Sequence, residues 1–453
     1  MRLIWGTVKE LLAHDGAQRK GYSELSVTVD GRNGVTRGVC YPELGGTIEV
    51  GDRVLLNTTA IDLELGTGGK HFVVARAKAA EAPEGIAFEA SMDTGAGHLM
   101  KLRYSPHQLN VLSVEAPESP FHKIMETRDS LEGVPVVCCG LHSQVPLVAA
   151  AVKRAMPTLI VGYVMDDAGS LPLNLSKVLA DSVDAGLIDV TVSTGQSFGG
   201  QIEAINLHSG LLAAVHVGGC DVVITGIGPG LAGTGTPFGH GGVVQGEAIN
   251  AAAILGGVPV ACLRMSQADK RERHLGISHH SLTALSRVAL APATIAIPHI
   301  GKDNPVYETV NEELDALPSM VEHRAFQLEE SYYDPEYMHG VEVKTMGRSY
   351  SEDPIFFEAA AAAGATAAMI AVMTIEEETA AAVEGAADSQ VLASAGIVSP
   401  ATGATATATT STPAGTARGE AHAADKGAPC PSLPLNGSGC GQSSNCPSPC
   451  DNV

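Results

Sequence analysis

Aromatic side chains are scarce, with 8 Phe, 9 Tyr and 1 Trp among 453 residues. A core filled by large rings is therefore disfavoured, and Ala, Gly and Val must supply the apolar contacts. Small side chains let helices lie close on a sheet, which is the packing of α/β domains. Positive charge is also scarce: 28 Lys and Arg face 50 Asp and Glu, a net charge of −22. Nucleic-acid backbones and anionic membranes both need a basic footprint, so neither is expected as a partner. The N-terminal stretch has no apolar run long enough for a secretory leader. The Ala-rich run 356–373 is interrupted by Glu358 and reads as a packed soluble helix rather than a membrane span. No C-x2-C pair, no HExxH and no glycine loop ending in Lys-Ser/Thr occurs, which removes the common zinc signatures and the P-loop.

Nine cysteines are present. Cys40, Cys138, Cys139, Cys220 and Cys262 sit in apolar runs, where thiols behave as small hydrophobes. Cys430, Cys440, Cys446 and Cys450 fall in the tail at spacings without a metal pattern. The expected setting is a reducing cytoplasm.

Along the chain, 1–105 reads as a small β-barrel-like domain. Short runs at 25–29, 36–41, 53–57 and 71–75 are separated by turn signals such as Asp30-Gly31, Asn33-Gly34 and Gly51-Asp52. A linker over 106–132 follows. From 133 to 345 strand and helix alternate: apolar runs at 134–139, 158–165, 190–192, 220–224, 258–265 and 294–297 are separated by helical spacings. Runs that apolar belong to a doubly wound, mostly parallel sheet covered on both faces. The stretch 197–212 reads as one helix with Glu203 and Asn206 on a shared face, and 323–328 as helical or irregular. An Ala-rich helical extension over 346–387 is expected to break near Gly364. The tail, 388–453, is Ala/Thr/Ser/Pro/Gly without large apolar residues and is expected to be disordered.

Two loops carry the candidate chemistry. After the strand at 220–224, Gly228-x-Gly230-x-x-Gly233-Thr234 opens a glycine-rich segment reaching Gly242. Glycines at such a turn let backbone N–H groups approach an anion, as in dinucleotide sites. Pro229 inside the motif, the delayed helix and the lack of a following acid weaken the dinucleotide reading, and a packing-driven turn stays open. After the strand at 258–265 come Arg264, Asp269, Arg271, Arg273, His274, Ser278, His279 and His280. Guanidinium groups gathered in an acidic chain point to an anionic partner, because their forks grip phosphate or carboxylate. Ser278 suits the N-cap of a helix starting near His279, whose positive end would add to the anion site. The imidazoles His274, His279 and His280, with Asp166, Asp167 and Asp269, allow acid–base use or metal ligation. Adjacent His279 and His280 are not expected to face one ion from a helix. Asp166-Asp167 ends a strand on the ligand-binding edge, or simply caps the next loop.

The blocks LLNTTAIDLELGTGGKHFVVA (55–75), SFGGQIEAIN (197–206), GIGPGLAGTGTPFGH (226–240) and RMSQADKRERHLGISHHSLT (264–283) resemble a family of bacterial proteins of unknown function. The likeness runs from near the start to about residue 375. It implies no reaction, and it leads to an acid where Gln201 stands. No cofactor is named by these patterns. The resulting expectation is a small phosphate- or nucleotide-bearing ligand held by the glycine amides, Arg264, Arg271 and Arg273, with turnover by a histidine left open. The competing expectation is a non-catalytic scaffold whose basic 264–280 loop docks an acidic partner; self-association is left open.

Overall fold

The computed structural model describes residues 3–12, 22–62, 69–77, 97, 99–102, 109–167, 169, 172–317 and 320–394. Strands β1 (Leu3–Leu12), β2 (Ser23–Val29), β3 (Thr36–Cys40), β4 (Arg53–Asn57) and β5 (Lys70–Ala77) close into a barrel in the order β1-β2-β3-β5-β4. Alternation fills it: Val8, Leu25, Val27, Val54, Leu56 and Val73 point inward, each buried. The four expected runs are its later strands. Closure comes from β1, whose alternation is interrupted by a bulge between Val8 and Glu10. One-turn helices α1 (Pro42–Gly45) and α2 (Thr59–Asp62) flank β4. The barrel leans on the rest of the chain through Tyr22, Val39 and Tyr41, against which Leu175 packs.

A hairpin of β6 (Leu99–Lys101) and β7 (Leu109–Val111) and the short helix α3 (His122–Thr127) lead into the sheet. Its strands and helices then alternate: β8 (Pro135–Cys139), α4 (Val145–Ala155), β9 (Val161–Asp166), α5 (Lys177–Asp184), β10 (Val190–Ser193) and β11 (Ile202–Glu203). They continue with α6 (Leu207–His216), β12 (Val222–Ile227), α7 (Val244–Ile254) and β13 (Val258–Cys262). A side ladder, β14 (Met265–Ser266) against β15 (Gly276–Ile277), precedes α8 (His279–Thr283). The series ends with β16 (Thr294–Ile297), α9 (Tyr307–Asp315), β17 (Arg324–Gln327) and α10 (Pro354–Ser394). The eight-stranded sheet runs β11-β10-β9-β12-β8-β13-β16-β17, and each pairing in it is parallel.

The sheet is covered on both faces. Val137, Cys139, Tyr163, Ile224 and Cys262 join Phe356, Phe357 and Ala363 of α10 on one side. Their chain neighbours Val136, Cys138, Val164, Val223 and Ala261 join Leu211, Ala214 and Ile249 of α6 and α7 on the other. A period of two with both parities apolar is what a parallel sheet between helix layers requires. Pro146 is tolerated because it occupies the first turn of α4. The five described cysteines are buried and free.

Several local expectations are corrected. The stretch 197–212 is not one helix: Ile202–Glu203 pairs beside β10, and Asn206 caps a helix that begins at Leu207, its side chain accepting from Ser209 N. Gln201 serves this edge strand, accepting from Thr191 N at 2.8 Å. The 323–328 stretch contains β17, the outer strand, exposed along its length and so without an apolar signal. The run at 258–265 stops at Cys262, and Met265–Ser266 turns away into the side ladder. Helix α10 passes through Gly364 unbroken, because a Cβ there would lie 2.3 Å from the Val148 carbonyl oxygen; the glycine permits close packing on α4. The segment Pro354–Glu377 of α10 is long and apolar enough to cross a membrane, but 78% of its most apolar window is buried within the protein, as in a core helix. The turn at 66–68, Tyr104, His107 and the tail from 395 on, with its four cysteines, lie outside the described residues.

Candidate functional site

Strands β12 and β13 lie on either side of β8. Being parallel, they release their following loops at one edge, over the end of β8, where the direction of strand addition reverses. Crevices for ligands form at such points. Two amides hold this edge in shape. Gln245 donates to the carbonyls of Cys138 and Cys262 at 2.8 and 2.7 Å, tying β8 to β13. Gln144 donates to Leu263 O and accepts from the Gly140 and Leu141 amides.

The loop after β12 is a closed Ω-like excursion. Gly233 bridges His240, Thr234 N donates to Gly239 O at 2.8 Å, and Thr234 Oγ1 donates to the same carbonyl at 2.9 Å. Gly230 has a φ of 99°, a left-handed conformation that selects glycine. Gly228 is buried and Gly230 exposed, so the G-x-G-x-x-G segment folds on itself before the helix starts, and α7 begins only at Val244. Of the expected anion-binding residues in this loop, Thr234 is thus spent on loop closure. The loop returns His240 to the rim, 95% buried.

The loop after β13 is latched just as firmly. Asp269 accepts a fork from Arg271, Nε to Oδ1 at 2.9 Å and Nη2 to Oδ2 at 2.8 Å, and pairs with Arg348 at 3.4 Å. Arg348 also donates to the fully buried Asp353, which accepts from Ser266 Oγ and Gln267 N. Arg271 pulls the Asp269 carboxyl far below the usual carboxylate range. Ser278 is the N-cap of α8, as expected, accepting from His280 N. Its hydroxyl also lies 2.7 Å from His274 Nδ1.

The two loops meet. A Cβ on Gly233 would stand 3.8 Å from His280 Nε2, and one on Gly235 would stand 4.0 Å from the Arg273 Cζ. His240 and His280 stack with ring centroids 3.9 Å apart; His279 stands edge-on to both, and His274 lies 4.9 and 5.0 Å from His279 and His280. Arg264, 6% exposed, donates to His280 Nδ1 at 3.0 Å. Burial, with the nearby Arg271 charge, lowers it to about 10, so it stays a cation at neutral pH. Burial first, then neighbouring imidazole and guanidinium charge, pushes His280 down to about 2. Burial and Arg264 take His274 to about 3, and His240 and His279 are lowered as well. The four imidazoles are therefore neutral at pH 7 while the guanidinium bonded to His280 is charged.

His274, His279, His280, Arg264, Arg271, Arg273 and Ser278 are thus brought together. Asp166 is the register partner of Ile227 at the same edge, but its carbonyl serves Ser197 Oγ, and Asp167 accepts from Gln196 N. The nitrogens that converge within 4.8 Å belong to His240, His279 and His280, without either aspartate. His279 and His280 do face one point despite being adjacent, because they occupy the first turn of α8, where side chains splay around the helix end. Sequence reasoning missed His240, Arg348 and Asp353. A histidine closing a glycine-rich loop was a usable signal for the first; nothing local marks the other two.

A second polar cluster joins Glu203, singled out in the sequence on a helix face, to Lys101, which was missed. Lys101, wholly buried, donates to the Ser193 and Ser197 carbonyls and to Glu203 Oε2 at 2.7 Å. Glu203 accepts further from Ser193 Oγ and Gly199 N.

A model of the family described as "Protein of unknown function (DUF3866)" matches residues 37–364. No curated protein and no solved structure matches.

Proposed function

The chain belongs to the DUF3866 family of proteins of unknown function, and from the chemistry of the rim we propose that it binds a small anionic ligand, phosphate- or nucleotide-bearing. One observation carries this reading: the Arg264 guanidinium is buried among neutral imidazoles, and among the described residues it forms no ion pair with a carboxylate. The Asp269 carboxylate acts on Arg264 from a distance but is shared with Arg271 and Arg348, so it offsets only part of the charge. Burying an incompletely neutralised cation costs several kcal/mol, which a ligand anion would recover. Arg273, exposed at the mouth, adds a second guanidinium, whereas Arg271 is committed to Asp269. The exposed glycine loop supplies neutral donors.

Turnover by histidine acid–base chemistry draws little support. Groups held near 2 and 3 are poor proton carriers at neutral pH, where a base works best with a pKa close to ambient. Binding is therefore the function proposed, in a reducing cytoplasm suited to the free buried thiols. Thermal unfolding in the presence of inorganic phosphate, nucleotides and phosphorylated metabolites tests it. The wild type should melt higher with at least one of these, and Arg264→Met should not respond. A partner protein captured through Arg271 and Arg273, with no ligand shift, would instead favour the scaffold reading.

A further inference from the structure

His240, His279 and His280 each present a ring nitrogen, and the three atoms lie within 4.8 Å of one another. The tautomer of His240 follows from its contacts. Its Nε2 lies 3.0 Å from the Pro237 carbonyl oxygen, which can only accept, so Nε2 carries the proton and Nδ1 keeps the lone pair. That Nδ1 is buried and has no hydrogen-bond partner, and neither has Nε2 of His279. A Cβ at Gly242 would press to 3.0 Å from His240 Nδ1; glycine there leaves the lone pair open. A ring held by a backbone carbonyl on one nitrogen and bare on the other is how metal-ligating histidines are oriented.

We propose that these three histidines bind a divalent first-row transition ion of the zinc class, with a remaining position open to the anionic ligand. Three imidazoles and no carboxylate select such ions over magnesium or calcium, and three protein ligands leave a fourth position for an exogenous one.

Arg264 makes the site conditional. It donates to His280 Nδ1 at 3.0 Å. If the ion takes Nδ1, it takes the lone pair that Arg264 uses. If it takes Nε2, the ring proton moves to Nδ1, and Arg264 again loses its acceptor. By either route metal entry frees the guanidinium, which then turns to the anion coordinated beside it. The histidine site stands on its own geometry; only this coupling rests on the anion reading, and it makes metal and anion tighten each other.

The test uses the full chain stripped with a chelator and titrated with Co2+ in a phosphate-free chloride buffer. The expected result is one equivalent bound, with visible ligand-field bands and without the charge-transfer band that a thiolate ligand would add. His240→Asn and His279→Asn, each shown folded by circular dichroism, should weaken uptake at least tenfold, and His208→Ala, an exposed histidine elsewhere, should not. Arg264→Met should bind Co2+ at least as tightly as wild type, because it removes a competing cation. No uptake by the wild type, unchanged uptake by His240→Asn, or loss in Arg264→Met overturns the site. The phosphate shift, measured on chelated protein, reads the other proposal separately. A shift without cobalt uptake overturns the metal site alone, whereas cobalt uptake with no phosphate shift in either chelated or cobalt-loaded protein upholds the site and removes the anion and the coupling.

Discussion

Two buried cations stand on the C-terminal rim of the same sheet, and their surroundings differ in one respect. Lys101 has three ammonium hydrogens and three acceptors, one of them the carboxylate of Glu203, itself bonded to Ser193 and Gly199. Among the described residues Arg264 has one imidazole nitrogen, of His280, as its side-chain acceptor, and His280 belongs to a cluster of neutral histidines, two of which have unpartnered nitrogens. The first cluster is complete and locks β10, β11 and the preceding hairpin together. The second is incomplete among the described residues, and the proposed anion and metal would fill it with negative charge and a Lewis acid. Burial and charge alone do not distinguish a structural cation from a binding one; the inventory of partners does.

That contrast can be broken most forcefully by exchanging the two fates. Lys101→Met should destabilise by about 3–5 kcal/mol, since it strands the Glu203 carboxylate, and should be read as a fall in denaturant midpoint. Arg264→Met should shift stability by no more than about 1 kcal/mol, or raise it, because no carboxylate is stranded. Equal large losses in both would make Arg264 structural. A next, smaller effect concerns ligand: at a hundredfold excess over its dissociation constant, a bound phosphate compound should stabilise the wild type by about 2.7 kcal/mol and Arg264→Met by nothing measurable.

Acid separates the clusters in a different way. His280 and His274 hold out against protonation to about 2 and about 3 in the fold, whereas unfolded histidines titrate near 6.5. The unfolded chain therefore binds more protons below 6.5, and stability must fall as pH drops through that value, while between pH 8 and 7 it should be nearly flat. Thermal scans from pH 8 to 5 should show this, and His274→Asn with His280→Asn should flatten the slope. A change remote from the site leaves both clusters untouched: Gly364→Ala presses a methyl onto Val148 and Ala151 and should cost about 1–3 kcal/mol, with the phosphate shift intact.

How far the chain could be read in advance follows from the range of each signal. The parallel sheet was legible because its strands are apolar at both parities, as at Val136 to Cys139, and because Ser278 announces α8 by its own chemistry. The barrel was legible from its turns, but not its closing strand, where a bulge at Val8 breaks the alternation. Edge strands failed for the same reason in two forms: β17 is exposed on both faces, and β11 has two residues. Gly364 misled because a glycine in an alanine run signals a break, whereas here it accommodates a neighbouring helix. In the site, the Arg/His loop was legible as a concentration of rare cations in an acidic chain. Its supports were not: Arg348 and Asp353 reach Asp269 and Ser266 from about eighty residues downstream, and only tertiary packing makes them neighbours. Likewise, whether Arg264 has a carboxylate partner depends on where the Asp269 side chain is committed, which spacing along the chain does not encode.

The proposed role of Arg264 is that of an incompletely neutralised cation that takes an anion. The most direct check is the melting temperature of wild type and Arg264→Met across a phosphate titration in chelated protein. A saturable rise in the wild type that Arg264→Met abolishes, without the variant starting much lower, is the predicted result. A flat response in both, or an equal rise in both, would contradict it.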